Sequence, residues 1–586
     1  MPEYKNPQHE SGTEKRLLLV FALTFLVIVL FQPILKKFGP QPTVETEKKT
    51  TTSTAPLPQT PASQTASSPA STAKKISASP VTAQQASAEA EIVIENDLYR
   101  ITFTNRGGQV KSWILKRFDD DQGKPLDLVN GGAGARYGLP VSLWTYDEGL
   151  RNKLNSALYV SSKSGTQAAP ADITFEYSDA ELAVTKKFSF DHSYIVHIET
   201  SVRDKGAEVA ALPVWPSGLG DEASAASYAA VQIEHQSGDK VTRLPVKKVI
   251  NGATTAGPFD WAGIADAYFA AVFLPDNPAD ASLVTLRNFL DVPKDAQKPN
   301  PQETTKVEVL GAGVGNLHGT TVERLFVGPK SLEVLESVHV AGIPDHPDLR
   351  QIVDFGFFGI IARPLFLWLK WTYKYMIHNW GWAIVIQTLI INLALLPLRI
   401  SQMKSMLKMQ KVAPVIKSIQ EKYKKYSLRD PRKQQMQQEI SAVYKEHGVN
   451  PVGGCLPLII QMPFLFAYYS MLRSALDLRH APWLWIRDLS SPDPWHLLPI
   501  GIIVTMFLTQ RMTPQAGMDP AQQKMMNFMM PVMLGIISWN LAAGLCLYWS
   551  EGNIIAIVQQ AVMNKTALGR EMREMMEKRA RKNNKK

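Results

Sequence analysis

Trp380–Arg399 reads WGWAIVIQTLIINLALLPLR. The run has the length of one bilayer crossing, yet Gln387, Thr388 and Asn392 sit in its middle. A polar group at bilayer depth is costly, so it faces a protein interior or a wet cavity. A long, basic, helix-prone segment follows directly. The stretch therefore reads as one wall of a polar groove opening toward the basic side of a membrane.

The rest of the 586 residues divides into two unlike parts. A mean hydropathy of −0.10 averages a polar stretch with a C-terminal region of long apolar runs. The net charge of +10 lies beside those runs, where the positive-inside rule puts it, and so does not point to nucleic acid. Cys455 and Cys546 both fall in apolar runs, so neither a disulfide nor a cysteine metal cluster is expected.

Residues 1–16 form a cytoplasmic N-terminus. The apolar run 17–35 lies between Lys15-Arg16 and Lys36-Lys37, with no small-residue cleavage site close behind. It reads as an uncleaved signal anchor. Residues 36–90 are a linker rich in Thr, Ser, Ala, Pro and Gln that cannot bury a core. Residues 91–340 alternate at strand spacing, as in Ile92-Val-Ile-Glu, Leu98 to Phe103, Val110 to Leu115 and Leu182 to Phe190. Asn105-Arg-Gly-Gly supplies a turn, and the pattern favours an antiparallel β-sandwich. His192, His197 and Asp172 lie close in sequence, but no phosphate loop or H-E-x-x-H helix accompanies them. They read as surface or strand-end residues, and no enzyme chemistry is expected.

Residues 352–376 read as an amphipathic interfacial helix, because Arg363-Pro364 near its centre disfavours a crossing. Between Arg399 and Gly454 twelve Lys/Arg face four Asp/Glu, which places that segment in the cytoplasm as a helical hairpin, 400–447. Two readings of the hairpin stay open. It is a solvated element, or its lysines (Lys404, Lys408, Lys411) and methionines meet anionic lipid, ribosomal RNA or a nascent chain. Further spans are expected at Cys455–Leu472, Trp495–Leu508, Met525–Trp539 and Leu545–Val562, making five crossings within 380–562. The tail, 563–586, is basic and cytoplasmic.

Several of these residues resemble one family. Asn379-Trp-Gly, Leu395-Leu-Pro-Leu, Lys408-Met-Gln, Asn450-Pro-Val-Gly-Gly-Cys-Leu-Pro-Leu-Ile-Ile-Gln-Met-Pro, Asp519-Pro-Ala-Gln-Gln-Lys and Leu547-Tyr-Trp are similar to the YidC/Oxa/Alb insertases, in their Gram-negative form. The resemblance implies a multi-pass α-helical membrane protein of the inner membrane, with a five-helix insertase core and an N-terminal anchor helix. It implies a periplasmic all-β supersandwich domain, which includes the Phe326-Val-Gly-Pro strand. Its activity would be insertion and folding of nascent integral membrane proteins, alone or with the Sec translocase and its SecD and SecF components. Ribosomes and anionic lipids are implied partners; no cofactor is. The family's groove helix usually carries an arginine where this chain has Asn392.

Candidate groove residues are Thr388, Asn392, Arg399, Gln461, Tyr548, Trp549 and Glu551. In a straight helix Arg399 shares a face with Asn392 about 10 Å nearer the cytoplasm, from which it can snorkel to the mouth. Glu551 is expected to face the groove or to be protonated. No G-x-x-x-x-G-K-[ST] loop is present, so no nucleotide is expected. A secondary transporter and a membrane-tethered carbohydrate-active enzyme are the rival readings.

Overall fold

The computed structural model describes residues 83–222, 224–294, 302–339, 348–423, 425–426, 430–449, 456–512, 520–567, 569–571 and 574. The expected anchor and most of the linker lie outside the described residues, as do residues 450–455 and nearly all of the distal tail. The chain divides into two compact units, one within Gln41–Val353 and one within Asp354–Lys586.

The first unit is β-rich and contains three sheets, of five, ten and five strands. Leu182–Phe190 alternates buried and exposed residues, so one face of this strand meets the core. Phe269–Pro275 is buried at every position, because its sheet is covered on both faces there. The expected turn forms at Gly107 and Gly108, whose φ values of +66° and +54° suit residues without a Cβ. Phe103 of one sheet packs on Phe175 and Phe188 of the ten-stranded sheet, at centroid distances of 5.7 and 5.0 Å. The stretch from Trp261 to Pro275 is two strands, because Asp266 Oδ1 accepts from the backbone N–H of Tyr268 and Phe269 and turns the chain.

The second unit is helical: α1 (Gly359–Tyr375), α2 (Trp380–Ala394), α3 (Leu396–Lys422), α4 (Pro431–Glu446), α5 (Leu456–Ser474), α6 (Leu497–Met512), α7 (Pro520–Ser538) and α8 (Ala543–Lys565). Helix α1 packs on α2 and α5 while its outer face carries Ile360, Leu367, Trp371 and Tyr375. Helices α3 and α4 form the expected hairpin around Val412, Ile416, Tyr423, Met436 and Ile440. Lys404, Lys408 and Lys411 are exposed on α3. Met403 instead turns inward with Leu407 against Met563 of α8, so this methionine serves packing and is not presented outward.

Trp380–Arg399 is not one helix. It breaks at Leu395, and α2 and α3 meet at 46°. Pro397 explains the break: its ring has no N–H and clashes with the carbonyl four residues back, while the first turn of a new helix accepts it. Among the described residues no single helix is long and apolar enough to cross a membrane; the bent α2–α3 pair passes that test together.

Candidate functional site

The site is a polar seam where α2 meets α5 and α8. Asn379 starts α2 by accepting from the N–H of Trp382 at 3.1 Å, and its own amide donates to the carbonyl of Pro482 at 3.1 Å. The helix start is thus tied to the loop that follows α5. Gly381 permits this, because Trp483 of that loop lies where a Cβ would be, at 2.2 Å.

Two turns into α2 the polar residues begin. Gln387 is fully buried; its amide donates to the carbonyl of Leu365 on α1 at 2.9 Å, and its carbonyl oxygen accepts from the Tyr468 hydroxyl of α5 at 2.8 Å. The Tyr468 ring stacks on Tyr548 of α8 at 4.0 Å. One glutamine and one tyrosine pair therefore join four helices. Thr388, also fully buried, donates back to the carbonyl of Ile384 at 2.7 Å and lies beside Glu551 of α8.

Asn392 is buried one turn further on. Its amide donates to the carbonyl of Thr388 at 2.9 Å, and its backbone carbonyl accepts from Gln559 of α8 at 3.3 Å. Its side-chain oxygen accepts from Arg399 Nη2 at 3.2 Å. The expectation that Arg399 snorkels away along a straight helix is therefore corrected. The bend at Leu395 turns the first turn of α3 so that the guanidinium folds back onto the seam.

Of the expected residues, Thr388, Asn392, Arg399, Tyr548 and Glu551 come together. Trp549, about 100° round the helix from Tyr548, is half-buried. The side chain of Gln461 lies outside the described residues. Sequence reasoning did not single out Gln387, Tyr468 and Gln559 as candidates. Gln387 carried a signal, being amide-bearing at mid-span, but nothing local announces its partner 81 residues away.

The outer faces of α6 and α8 are apolar. Ile500, Val504 and Leu508 form an exposed stripe on α6, and Ile554, Val558 and Val562 form one on α8. The helical unit thus buries the amides of Gln387 and Asn392 and exposes the aliphatic stripes of α6 and α8.

In the β unit, His192, His197 and Asp172 are all exposed on strands or a turn. A cavity of 240 Å³ is lined by Asp276, Asn277, Asp280 and Asn316, among others, and Asp276 is drawn toward Arg324 at 3.8 Å. Among the described residues no cluster of His, Cys, Asp and Glu is arranged to hold a metal ion.

The sequence matches two family models, the YidC periplasmic domain over residues 91–368 and the 60Kd inner membrane protein over residues 371–570. It is 32% identical to a membrane protein insertase YidC of Syntrophus aciditrophicus over 94% of this chain and the whole of that one. The chain belongs to the YidC membrane protein insertase family. Another relative, the YidC of Wolinella succinogenes, is 44% identical over 242 residues, covering 41% of this chain and 42% of its own. A crystal structure of an active YidC insertase with its first transmembrane domain resolved superposes on 83% of this chain and 95% of that one. The TM-score is 0.34 and the sequence identity 19%. YidC insertases act on nascent membrane proteins and are not enzymes, and the β-rich unit is the family's periplasmic domain.

Proposed function

We propose that this insertase admits clients through the seam between α2 and α8, used as a hydrophilic intramembrane groove. The observation that carries the reading is the inverted polarity of the helical unit. It buries Gln387, Thr388 and Asn392 and exposes the aliphatic stripes of α6 and α8. In water those stripes would be an association or aggregation surface; against lipid tails they are a matched boundary. On this reading α2–α3, α5, α6, α7 and α8 supply the five crossings, with both termini in the cytoplasm. A polar client flank enters partway, exchanging hydrogen bonds with the seam, while its apolar span slides out along the lipid side. Burial of about twenty apolar residues drives the step without nucleotide.

The finer partners follow from charge. The exposed lysines of α3 suit anionic lipid or the ribosome. Cooperation with the Sec translocase and its SecD and SecF components is proposed from the resemblance. A photo-crosslinker at position 392 is expected to give adducts with a stalled nascent membrane protein. Adducts appearing only from the opposite face of α2, at Ile390 or Leu393, would sink the groove assignment.

A further inference from the structure

The polar groups left unsatisfied in the helices are all of one kind. Among the described residues of the eight helices, the buried side-chain atoms without a hydrogen-bond partner are Gln410 Oε1, Gln510 Oε1, Glu551 Oε2 and Gln559 Oε1. Each is an acceptor, Glu551 in its ionised form. Four donor groups of the seam are already engaged inside it. The amides of Gln387, Asn392 and Gln559 go to the carbonyls of Leu365, Thr388 and Asn392, and the Arg399 guanidinium goes to Asn392.

Two of these unmatched acceptors sit on α8, at Glu551 beside Thr388 and at Gln559 beside Asn392. Eight residues of helix separate them by about 12 Å. What such an edge lacks is a donor. A carboxylate held away from water is costly until it is paired, and so is a lysine or arginine on a client flank; pairing them offsets both costs. An aspartate on the flank meets the opposite situation, because like charges repel at short range.

We propose that Glu551, assisted by Gln559, makes the seam select client flanks bearing a lysine or arginine over flanks bearing an acidic residue. The proposal rests on the reading of the seam as the client groove and assigns that groove a substrate class.

The test uses the full-length protein in proteoliposomes without a membrane potential, so that no applied field acts on flank charge. Two single-span clients differ only in one flank residue, Lys or Asp, and insertion is read as the protease-protected fraction. The wild type is expected to favour the lysine client by about tenfold, the scale of one charge-assisted hydrogen bond. In Glu551→Gln the ratio is expected to fall to about one or two. Gln559→Leu is expected to give an intermediate ratio. The ratio is taken within each variant, and its melting temperature verifies folding. An unchanged ratio in a folded Glu551→Gln overturns the proposal. If that variant does not fold, Gln559→Leu decides, and a ratio equal to wild type there overturns the proposal. A wild type that inserts neither client defeats the groove reading and this proposal with it. Insertion of both clients equally well by the wild type defeats the proposal alone.

Discussion

Lys186 is fully buried in the β-rich unit, yet its ammonium has no carboxylate partner among the hydrogen bonds it makes. Instead Nζ donates to three backbone carbonyls, Gly107 at 3.0 Å, Gly108 at 2.7 Å and Val141 at 2.6 Å. It thus ties the glycine turn to Val141, a β-branched residue held at φ +56°. Three acceptors favour the charged form and burial opposes it; burial prevails and lowers the amine to about 7 from 10.5. Between those values the unfolded chain holds more protons than the folded one, so the contribution of Lys186 to stability rises with pH. Lys186→Met should cost about 3 kcal/mol at neutral pH through the orphaned carbonyls. The deficit should widen from pH 7 to pH 9, read as the gap between the melting curves of wild type and variant. A gap that stays constant would mean that the three carbonyls hold the ammonium at its ordinary value.

At the scale of elements, two contacts position the seam. Pro397 sets the bend that returns Arg399 to Asn392. Gly381 lets Trp483 lie against the first turn of α2. Gly381→Ala gains helix propensity, up to about 1 kcal/mol, but drives a methyl into the indole, at about 1–3 kcal/mol. A net loss of roughly 1–2 kcal/mol is expected in a detergent melt, with crosslinking from position 392 shifted or weakened. No loss of stability would mean that the loop yields freely. Much at this scale is legible in the sequence. The alternation of Leu182–Phe190 announces a one-faced strand, and Phe269–Pro275 reads as a buried run. The break at Leu395 is signalled by Pro397 but hidden by the unbroken hydrophobicity around it. The Gln387–Tyr468–Tyr548 linkage is not legible, because it depends on which faces of three distant helices meet. The same holds for Gln559, whose role is set by a backbone carbonyl of another helix.

For the whole molecule, the division into two compact units leads to the expectation that the helical unit works without the β-rich one. Deletion of Glu91–Val340 should leave insertion of small membrane clients largely intact, within about threefold of wild type, measured by protease protection after depletion of the endogenous insertase. Complete loss with a stably accumulated helical unit would place an essential function in the β domain and revive the carbohydrate-enzyme reading. The bend at Leu395 also has a consequence for the surroundings. It leaves α2 only 15 residues, about 22 Å of helix, against a hydrocarbon layer of about 30 Å. On the proposed groove reading, where α2 up to its bend forms the wall, the lipids beside it are expected to dip to meet it. On that reading a client flank crossing there would meet a compressed bilayer, and the barrier would be shortened by deforming the solvent as well as by lining a path through it.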